Sequence, residues 1–478
     1  MEFSTKIRRL VVSLAVVALV VTVWSNRPRP VSPQADGQRG RLLDRTGRVL
    51  AQNVEHPSVW FDPVAIGDPD AALEALCLVV DGCAVDERDH LYRRLRDARR
   101  YVPLRRRASA EQVARVRALR LPGVHVGAEI RRWYRYGDVG SAIVGYAGPW
   151  VGSRSGAEWA FDKELRPRGT TDGADVQLTI DIAAQARLEE YLDLLAAEVH
   201  ATAVVAVALE PSTGEVVALP QWPRAERRAD SFESAAHLRV RAVTDIVEAG
   251  TLVEPLLVAE AMVSAGYLDR PRAADRAAAP PVVAVLQALG LDWGKTTLES
   301  FGLGTRPALR LGAETAGWTG GEPPRFRQPP SLRRFARGQL TGASLIQLAS
   351  AYGALVQGAR VGPAILRSIT TAAGTRASDV STRSHYVAPF EMLASDIDTR
   401  AAGEPRVPGV LFVRDTLHER VDQDGVASAV AVGAIEVSGR RWVMVVQADV
   451  PAPGRAASRA VRQSLAAMLG VVGATGAE

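Results

Sequence analysis

One long apolar run, residues 10–24, constrains this 478-residue chain more than any other feature of its sequence. The run contains only one serine and one threonine, and it follows Lys6, Arg8 and Arg9. It is shorter than the about 20 apolar residues that a bilayer core needs, but snorkelling basic side chains extend such a segment. We therefore predict an uncleaved signal-anchor helix with a short cytoplasmic tail and the remaining residues outside the membrane. A cleaved signal peptide is the alternative, although no small-residue cleavage site follows Trp24.

The rest of the sequence has the composition of a protein with a buried core. Hydrophobic residues make up 47% and charged residues 23% of the chain, which excludes wholesale disorder. No second apolar run of this length occurs, which excludes a polytopic membrane protein. The chain has two cysteines, Cys77 and Cys83, too few for a disulfide scaffold or a cysteine-rich metal site. They either pair across a small loop or remain free thiols. The seven histidines show no metal-ligand spacing, so we predict no metal and no cofactor.

Basic residues are almost all arginine. The formal net charge is +5, and the three lysines are Lys6, Lys163 and Lys295. Twelve arginines lie between residues 86 and 120. Few aromatic residues are interleaved with them, and the predicted location outside the cytoplasm removes a nucleic-acid partner. We interpret this stretch as a solvated helical face that meets anionic lipid or an acidic partner.

Apolar periodicity and turn residues predict an α+β fold with an antiparallel sheet. Residues 39–53 indicate two strands around a turn at 45–47, and residues 202–209 indicate a buried strand. The other predicted elements are a helix at 182–199, a hairpin through 211–214 into 215–219, a helix from Thr251 through the Met262 region, helices at 342–356 and 457–469, and a hairpin of 429–437 and 441–450 around Ser438-Gly439.

Several short segments, in order and at family-like spacing over nearly the whole chain, resemble the class B penicillin-binding proteins. These are the division-type D,D-transpeptidases of bacterial peptidoglycan synthesis. The segments are 39–47 (RGRLLDRTG), 121–124 (LPGV) with 131–134 (RRWY), 144–146 (VGY), 156–158 (GAE), 210–219 (EPSTGEVVAL), 301–304 (FGLG), and 338–341 (GQLT) with 347–349 (QLA).

The resemblance implies three parts. A cytoplasmic tail and transmembrane anchor occupy residues 1–30, an elongated dimerisation-type pedestal 31–175, and a transpeptidase-like domain of serine β-lactamase type, with a central antiparallel sheet, 176–478. It also implies a single-pass protein of the bacterial inner membrane with its bulk on the periplasmic side. The implied partners are a polytopic peptidoglycan glycosyltransferase, other division or elongation membrane proteins, and peptidoglycan.

The family's first catalytic motif, Ser-x-x-Lys, does not carry over. The family places that serine in Pro-Gly-Ser-Thr-Phe-Lys-Pro, and residues 249–255 here read AGTLVEP. Thr251 therefore stands at the serine position and Glu254 at the lysine position. No Ser-x-x-Lys occurs anywhere, because phenylalanine, alanine and aspartate stand three residues before the three lysines.

The other two motifs are missing as well. Spacing places the family's Ser-x-Asn near Ala277 to Ala279, where no serine or asparagine occurs. The position of Lys-Thr-Gly is taken by Arg414, Asp415 and Thr416.

These losses lead us to predict no confident catalytic residue and, as the favoured function, a pseudoenzyme that scaffolds or regulates a cell-wall synthase. On this reading Thr251 and Glu254 form a helix capping box. The first alternative is an active transpeptidase in which Thr251 is the nucleophile and Glu254 the general base. The second is an envelope protein that uses the fold for an unrelated ligand such as a glycan.

Overall fold

The computed structural model describes residues 37–79, 91, 93, 102–105, 108–148, 152–153, 155–225, 239–264, 281–321, 331–378, 408–417, 427–451 and 454–475. The predicted anchor run at 10–24 lies outside these residues. Within them, no helix combines the length and the apolar character that crossing a bilayer requires.

The elements of these ranges are named here in chain order. The strands are β1 Leu42–Leu43, β2 Val49–Phe61, β3 Val102–Arg105, β4 Val124–Tyr134, β5 Ala147–Gly148, β6 Gly152–Ser153, β7 Asp175–Leu178, β8 Ala203–Glu210, β9 Glu215–Ala218, β10 Gln221–Trp222, β11 Val247–Glu248, β12 Trp318–Thr319, β13 Thr341–Ala343, β14 Leu366–Thr371, β15 Gly374–Ala377, β16 Val410–Leu417, β17 Ala427–Val437 and β18 Arg440–Val450. The helices are α1 Pro69–Cys77, α2 Ala110–Leu119, α3 Ser141–Val144, α4 Gly156–Ala160, α5 Asp162–Leu165, α6 Ile182–Glu198, α7 Arg241–Thr244, α8 Glu254–Ser264, α9 Pro281–Leu289, α10 Leu291–Ser300, α11 Leu332–Ala336, α12 Leu345–Gln357 and α13 Arg455–Thr475, with a 3-10 turn at Gly250–Val253.

A long ribbon of β2 and β4 gives the N-terminal part its length. The two strands pair antiparallel from Ala51 to Phe61 on β2, which at about 3.4 Å per residue spans about 35 Å. The predicted strand–turn–strand at 39–53 is confirmed as β1, a turn and β2. Buried Asp44 holds the turn, because its Oδ1 accepts hydrogen bonds from the backbone N–H groups of Thr46 and Arg48, both at 2.8 Å.

The sheet that contains this ribbon also takes strands from later in the chain. Its order is β15-β14-β7-β1-β2-β3, with β4 also on β2. β7 runs parallel to β1, and β14 runs antiparallel to β7. The proposed boundary between residues 175 and 176 therefore falls inside a strand of a shared sheet, so the pedestal and the region after it are joined by backbone hydrogen bonds.

Helices α1 and α2 pack with β2 and β3 in a separate small core. Asp68 caps the first and a Ser109–Gln112 capping box begins the second. Cys77, the last residue of α1, is disulfide-bonded. Cys83, the other cysteine of the chain, lies outside the described residues.

The second large sheet is antiparallel throughout, in the order β10-β8-β18-β17-β16 with β9 on β8. Every residue of β8 is buried. Its residues alternate between two hydrophobic cores, one on each face of the sheet, which explains why the sequence of β8 is apolar without alternation. The predicted hairpins through 211–214 and around Ser438-Gly439 are confirmed. The latter two residues have φ of 52° and 74°, as a two-residue hairpin turn requires.

Helices cover both faces of this sheet, α6 and α13 on one and α12 on the other. The predicted helices at 182–199 and 457–469 are confirmed, the second as part of the longer α13. The predicted helix at 342–356 begins three residues too early. Residues 341–343 form β13 instead, and the helix starts after Ser344, which forms a capping box with Gln347.

Candidate active-site crevice

The crevice lies where the 3-10 turn at Gly250–Val253 leads into α8, beside the edge strand β16. The prediction of a helix from Thr251 through the Met262 region is confirmed as this turn and α8. Gly250 has a φ of 55°. Gly338, with a φ of 64°, lies so close that a Cβ there would be 2.0 Å from the carbonyl oxygen of Gly250. Two glycines that pack backbone against backbone thus fix the entry of α8.

Strand β16 supplies the facing wall, and its side chains alternate between two faces. Phe412 belongs to the core that also holds Leu252 and Tyr352, so Arg414 and Thr416 face the same way, toward the 3-10 turn. Asp415 faces the opposite side of the sheet, where Ser458 and Arg462 of α13 contact it.

An ion pair joins the two walls of the crevice. A guanidinium nitrogen of Arg414 lies 2.6 Å from Oε2 of Glu254, and the same nitrogen donates to the carbonyl oxygen of Thr251 at 3.0 Å. The side chains are only 10% and 22% exposed, respectively. Charge-assisted hydrogen bonds of this length in a partly buried setting are among the strong polar contacts in proteins.

Tyr352 of α12 supports the 3-10 turn from below. Its side chain is fully buried and its hydroxyl donates to the carbonyl oxygen of Leu252 at 2.9 Å. Burial raises the pKa of Tyr352, and Glu254 raises it further while Arg414 lowers it. The phenol therefore stays neutral and acts as a hydrogen-bond donor to the turn.

The structure does not form the capping box expected of Thr251 and Glu254, and that prediction is wrong. Ala249 is the residue that precedes the 3-10 turn, and it makes no side-chain capping bond. The carboxylate of Glu254 pairs with Arg414 instead, because a hydrogen bond from a charged guanidinium is stronger than one from a neutral backbone N–H. Among the contacts of the described residues, no hydrogen bond joins the hydroxyl of Thr251 to Glu254.

The residues aligned with the family motifs thus have different surroundings. Thr251, Glu254 and Arg414 come together, and Thr416 follows on the same face of β16 with 9% exposure. Asp415 is directed away, and a hydrogen bond from the hydroxyl of Ser458 holds it there. Ala277 and Ala279 lie outside the described residues.

Neither described lysine forms a hydrogen bond with a residue of the crevice. Lys295 bonds to Asp292 on its own helix at 3.5 Å, and its aliphatic stem lies against Gly320. Lys163 lines a different cleft, together with Trp159. In the described part of the chain, no group of three His, Cys, Asp or Glu residues is arranged to hold a metal ion.

Sequence reasoning missed the contact between Glu254 and Arg414, although both were singled out. The sequence did carry a signal for this contact. An acidic residue at one aligned motif position and an arginine at another have opposite charges, which favours an ion pair between them. Tyr352 was missed as well. It lies inside a helix with an apolar pattern, and nothing local in the sequence marks its hydroxyl as the support of a distant turn.

Comparison with known proteins agrees with this fold. Residues 34–169 match the family of the penicillin-binding protein dimerisation domain. The chain is a homologue of the class B penicillin-binding proteins.

Particular relatives include the peptidoglycan D,D-transpeptidase FtsI of Escherichia coli, 28% identical over 259 residues, or 48% of this chain and 43% of that protein. The stage V sporulation protein D of Bacillus subtilis is 28% identical over 223 residues, 42% of this chain and 34% of that protein. The chain thus spans less than half the length of these relatives.

Solved structures match the fold over most of the chain. Penicillin-binding protein 3 of Mycobacterium tuberculosis, complexed with aztreonam, superposes with a TM-score of 0.64 at 19% identity, covering 92% of this chain and 97% of that one. A peptidoglycan synthetase from Bifidobacterium adolescentis gives a TM-score of 0.65 at 17% identity, covering 92% and 95%. The penicillin-binding transpeptidase fold is therefore shared, whereas identity at this level transfers no activity.

Proposed function

We propose that this chain is a catalytically inactive homologue of the class B penicillin-binding proteins that scaffolds or regulates a bacterial cell-wall synthase. The observation that carries the proposal is the ion pair between Glu254 and Arg414. Glu254 stands where the family has the lysine of its first motif, and Arg414 stands at the aligned position of the third motif. The two side chains neutralise each other in the crevice.

Acyl transfer needs a nucleophile next to a group that can take its proton. An arginine guanidinium cannot serve, because it stays protonated in proteins. The carboxylate of Glu254 accepts from Arg414 at 2.6 Å, and withdrawing it for base catalysis would break that pair. Arg414 also holds the carbonyl of Thr251 and not its hydroxyl. These contacts favour an inactive crevice over a transpeptidase with a rewired Thr251–Glu254 pair.

The setting we propose follows from the family. Residues 1–30 serve as tail and anchor, 31–175 as pedestal and 176–478 as transpeptidase-like domain. The chain lies in the inner membrane with its bulk on the periplasmic side. The disulfide at Cys77 supports this location, because such bonds persist in oxidising compartments. Its partners are a polytopic peptidoglycan glycosyltransferase and other division or elongation proteins, which the anchor and the pedestal contact.

Turnover of a peptidyl donor ending in D-Ala–D-Ala tests the proposal on the full chain in detergent. We expect no transfer to an amine acceptor and no hydrolysis above the rate without protein. An active class B enzyme run in parallel shows that the assay works. Turnover by the parent chain that Glu254→Gln abolishes, with the melting curve of the variant unchanged, would establish the rewired transpeptidase instead.

A further inference from the structure

A second cleft lies away from the crevice. It has a volume of about 810 Å³ and is lined by Trp159, Ala160, Asp162, Lys163, Arg166 and Arg310. Volumes of about 300–1,000 Å³ are typical of small-molecule sites. The first five of these residues belong to α4, α5 and the residue after α5, and Arg310 comes from a loop far along the chain. The cleft therefore lies between the pedestal and the region that follows it.

The indole of Trp159 is the feature that burial does not explain. Trp159 is 50% exposed, and it is the one exposed tryptophan in the described ranges. The ring touches the 308–313 loop, since a Cβ on Gly312 would be 3.4 Å from it. The open face of the indole beside the cleft offers a flat apolar surface on which a ligand ring can stack.

The charges around the indole are mostly positive. The cleft has one lining carboxylate, Asp162, which is paired with Arg166 at 2.6 Å and with Arg39 at 2.7 Å. Arg310 lies 3.5 Å from a carboxylate oxygen of Glu164. Lys163 makes no hydrogen bond or ion pair with any other described residue. Lys163 is thus the lining cation that no described carboxylate pairs with.

The loop that closes the cleft has an uncommon backbone. Ala308, Arg310, Gly312 and Ala313 have φ of 64°, 68°, 86° and 48°, and left-handed non-glycine residues are uncommon and cluster at ligand clamps. The carboxylate of Glu314 holds the loop by accepting from two of its backbone N–H groups at 3.2 and 3.1 Å.

This backbone presents Arg310 to the pedestal. Its guanidinium donates to the carbonyl oxygen of Ala160 at 3.0 Å and lies 5.0 Å from the ring centroid of Phe161. Arg310 thereby joins the two walls of the cleft beside the indole.

We propose that this cleft binds a carboxylate-bearing glycan strand, with a sugar ring stacked on the indole of Trp159 and a carboxylate paired with Lys163. The apolar face of a pyranose ring fits an exposed indole, and an open cleft lets a polymer enter and leave. A folded protein partner would need an interface of about 800 Å² on each side, with few charged residues at its centre. The residues around Trp159 are mostly charged. The site goes beyond the proposed function and does not depend on whether the crevice is inactive.

Calorimetric titration of the full chain in detergent tests the site. The probe is the mixture of disaccharide-peptides released from peptidoglycan by a muramidase. Chitotetraose serves as a neutral sugar and the stem peptide alone as a carboxylate without sugar. We expect the disaccharide-peptides to bind most tightly. Added salt should weaken their binding, because it screens the exposed cations of the cleft.

The variants separate the indole from the charges. Trp159→Ala should weaken binding about thirtyfold, or about 2 kcal/mol at 1.4 kcal/mol per tenfold, and Trp159→Tyr should restore most of it. Lys163→Gln should weaken binding about threefold to tenfold and reduce its salt dependence. The matched control is Lys295→Gln, a lysine outside the cleft, which should leave the affinity unchanged.

Three outcomes would overturn the proposal. One is no heat of binding from the parent chain at millimolar disaccharide-peptide. Another is an unchanged affinity in Trp159→Ala. The third is a stem peptide that alone binds as tightly as the disaccharide-peptide, since sugar stacking then contributes nothing. Melting curves of the variants exclude loss of fold as the cause of lost binding.

Discussion

Replacing Arg414 by methionine should destabilise the chain by about 2–4 kcal/mol. Breaking a buried ion pair from one side costs about 3–5 kcal/mol because a charge remains buried. Glu254 keeps 22% of its side chain exposed, which places the expected cost below the top of that range. The carbonyl oxygen of Thr251 also loses its donor, and methionine keeps most of the packing of the arginine stem.

A double-mutant cycle isolates the pair from the packing. Glu254→Gln alone should cost about 1–2 kcal/mol, since a neutral acceptor remains, and the coupling between the two changes should be about 1–2 kcal/mol. The matched control is Lys295→Gln with Asp292→Asn, a pair at 3.5 Å whose side chains are 37% and 98% exposed. Its coupling should stay below about 0.5 kcal/mol.

Urea unfolding at 25 °C, followed by circular dichroism, measures the parent chain and the six variants of the two cycles. The m value must be unchanged among variants for the midpoints to report stability. If Arg414→Met lies within about 0.5 kcal/mol of the parent, or if the crevice pair couples no more strongly than the control pair, the inference that this contact holds the crevice together is refuted.

Three further predictions concern two buried carboxyl groups elsewhere in the fold and the start of α8. Glu158 is fully buried between two arginines at 2.8 and 2.7 Å, so Glu158→Gln should lower the free energy of unfolding by about 3–5 kcal/mol in urea titrations, and a loss under 1 kcal/mol would contradict it. Burial raises the pKa of the Glu189 carboxyl, and a hydrogen bond from Gln185 partly offsets this. As the pH rises above the pKa of this group in the unfolded chain, the unfolded chain loses the proton first, and the stability of the folded chain falls. The melting temperature of Glu189→Gln should therefore exceed that of the parent by more at pH 7.5 than at pH 4.5, and an equal difference at both pH values would show that burial does not raise this pKa. Gly338→Ala would bring a Cβ to 2.0 Å from the oxygen of Gly250, so it should destabilise the entry of α8 and lower the melting temperature by several degrees, whereas Gly47→Ala, with open space at the Cβ, isolates the cost of positive φ.

The elements with a strong local pattern were predictable from the sequence. The helix at Ile182–Glu198, the buried strand at Ala203–Glu210 and the C-terminal hairpin follow apolar periodicity and turn residues. The start of α12 was misplaced because Gly342 and its neighbours serve as a short strand between two others, a tertiary pairing that leaves no mark in the local pattern.

The candidate site was predictable as a set of aligned positions but not as a geometry. Thr251 and Glu254 are far in sequence from Arg414, and only the sheet order places β16 beside the 3-10 turn. The cleft at Trp159 was missed for the same reason, because Arg310 reaches it from a loop about 150 residues later. Its one local signal is a tryptophan in AEWAF, directly before the polar segment DKELRPR.

Covalent labelling by a fluorescent penicillin tests the central claim most directly. The purified full chain is incubated with the label, denatured, and examined by intact mass and in-gel fluorescence beside an active class B penicillin-binding protein. We expect no adduct on this chain under conditions that label the active protein fully. A stoichiometric adduct that disappears in Thr251→Ala would contradict it and would make the crevice an acylating site.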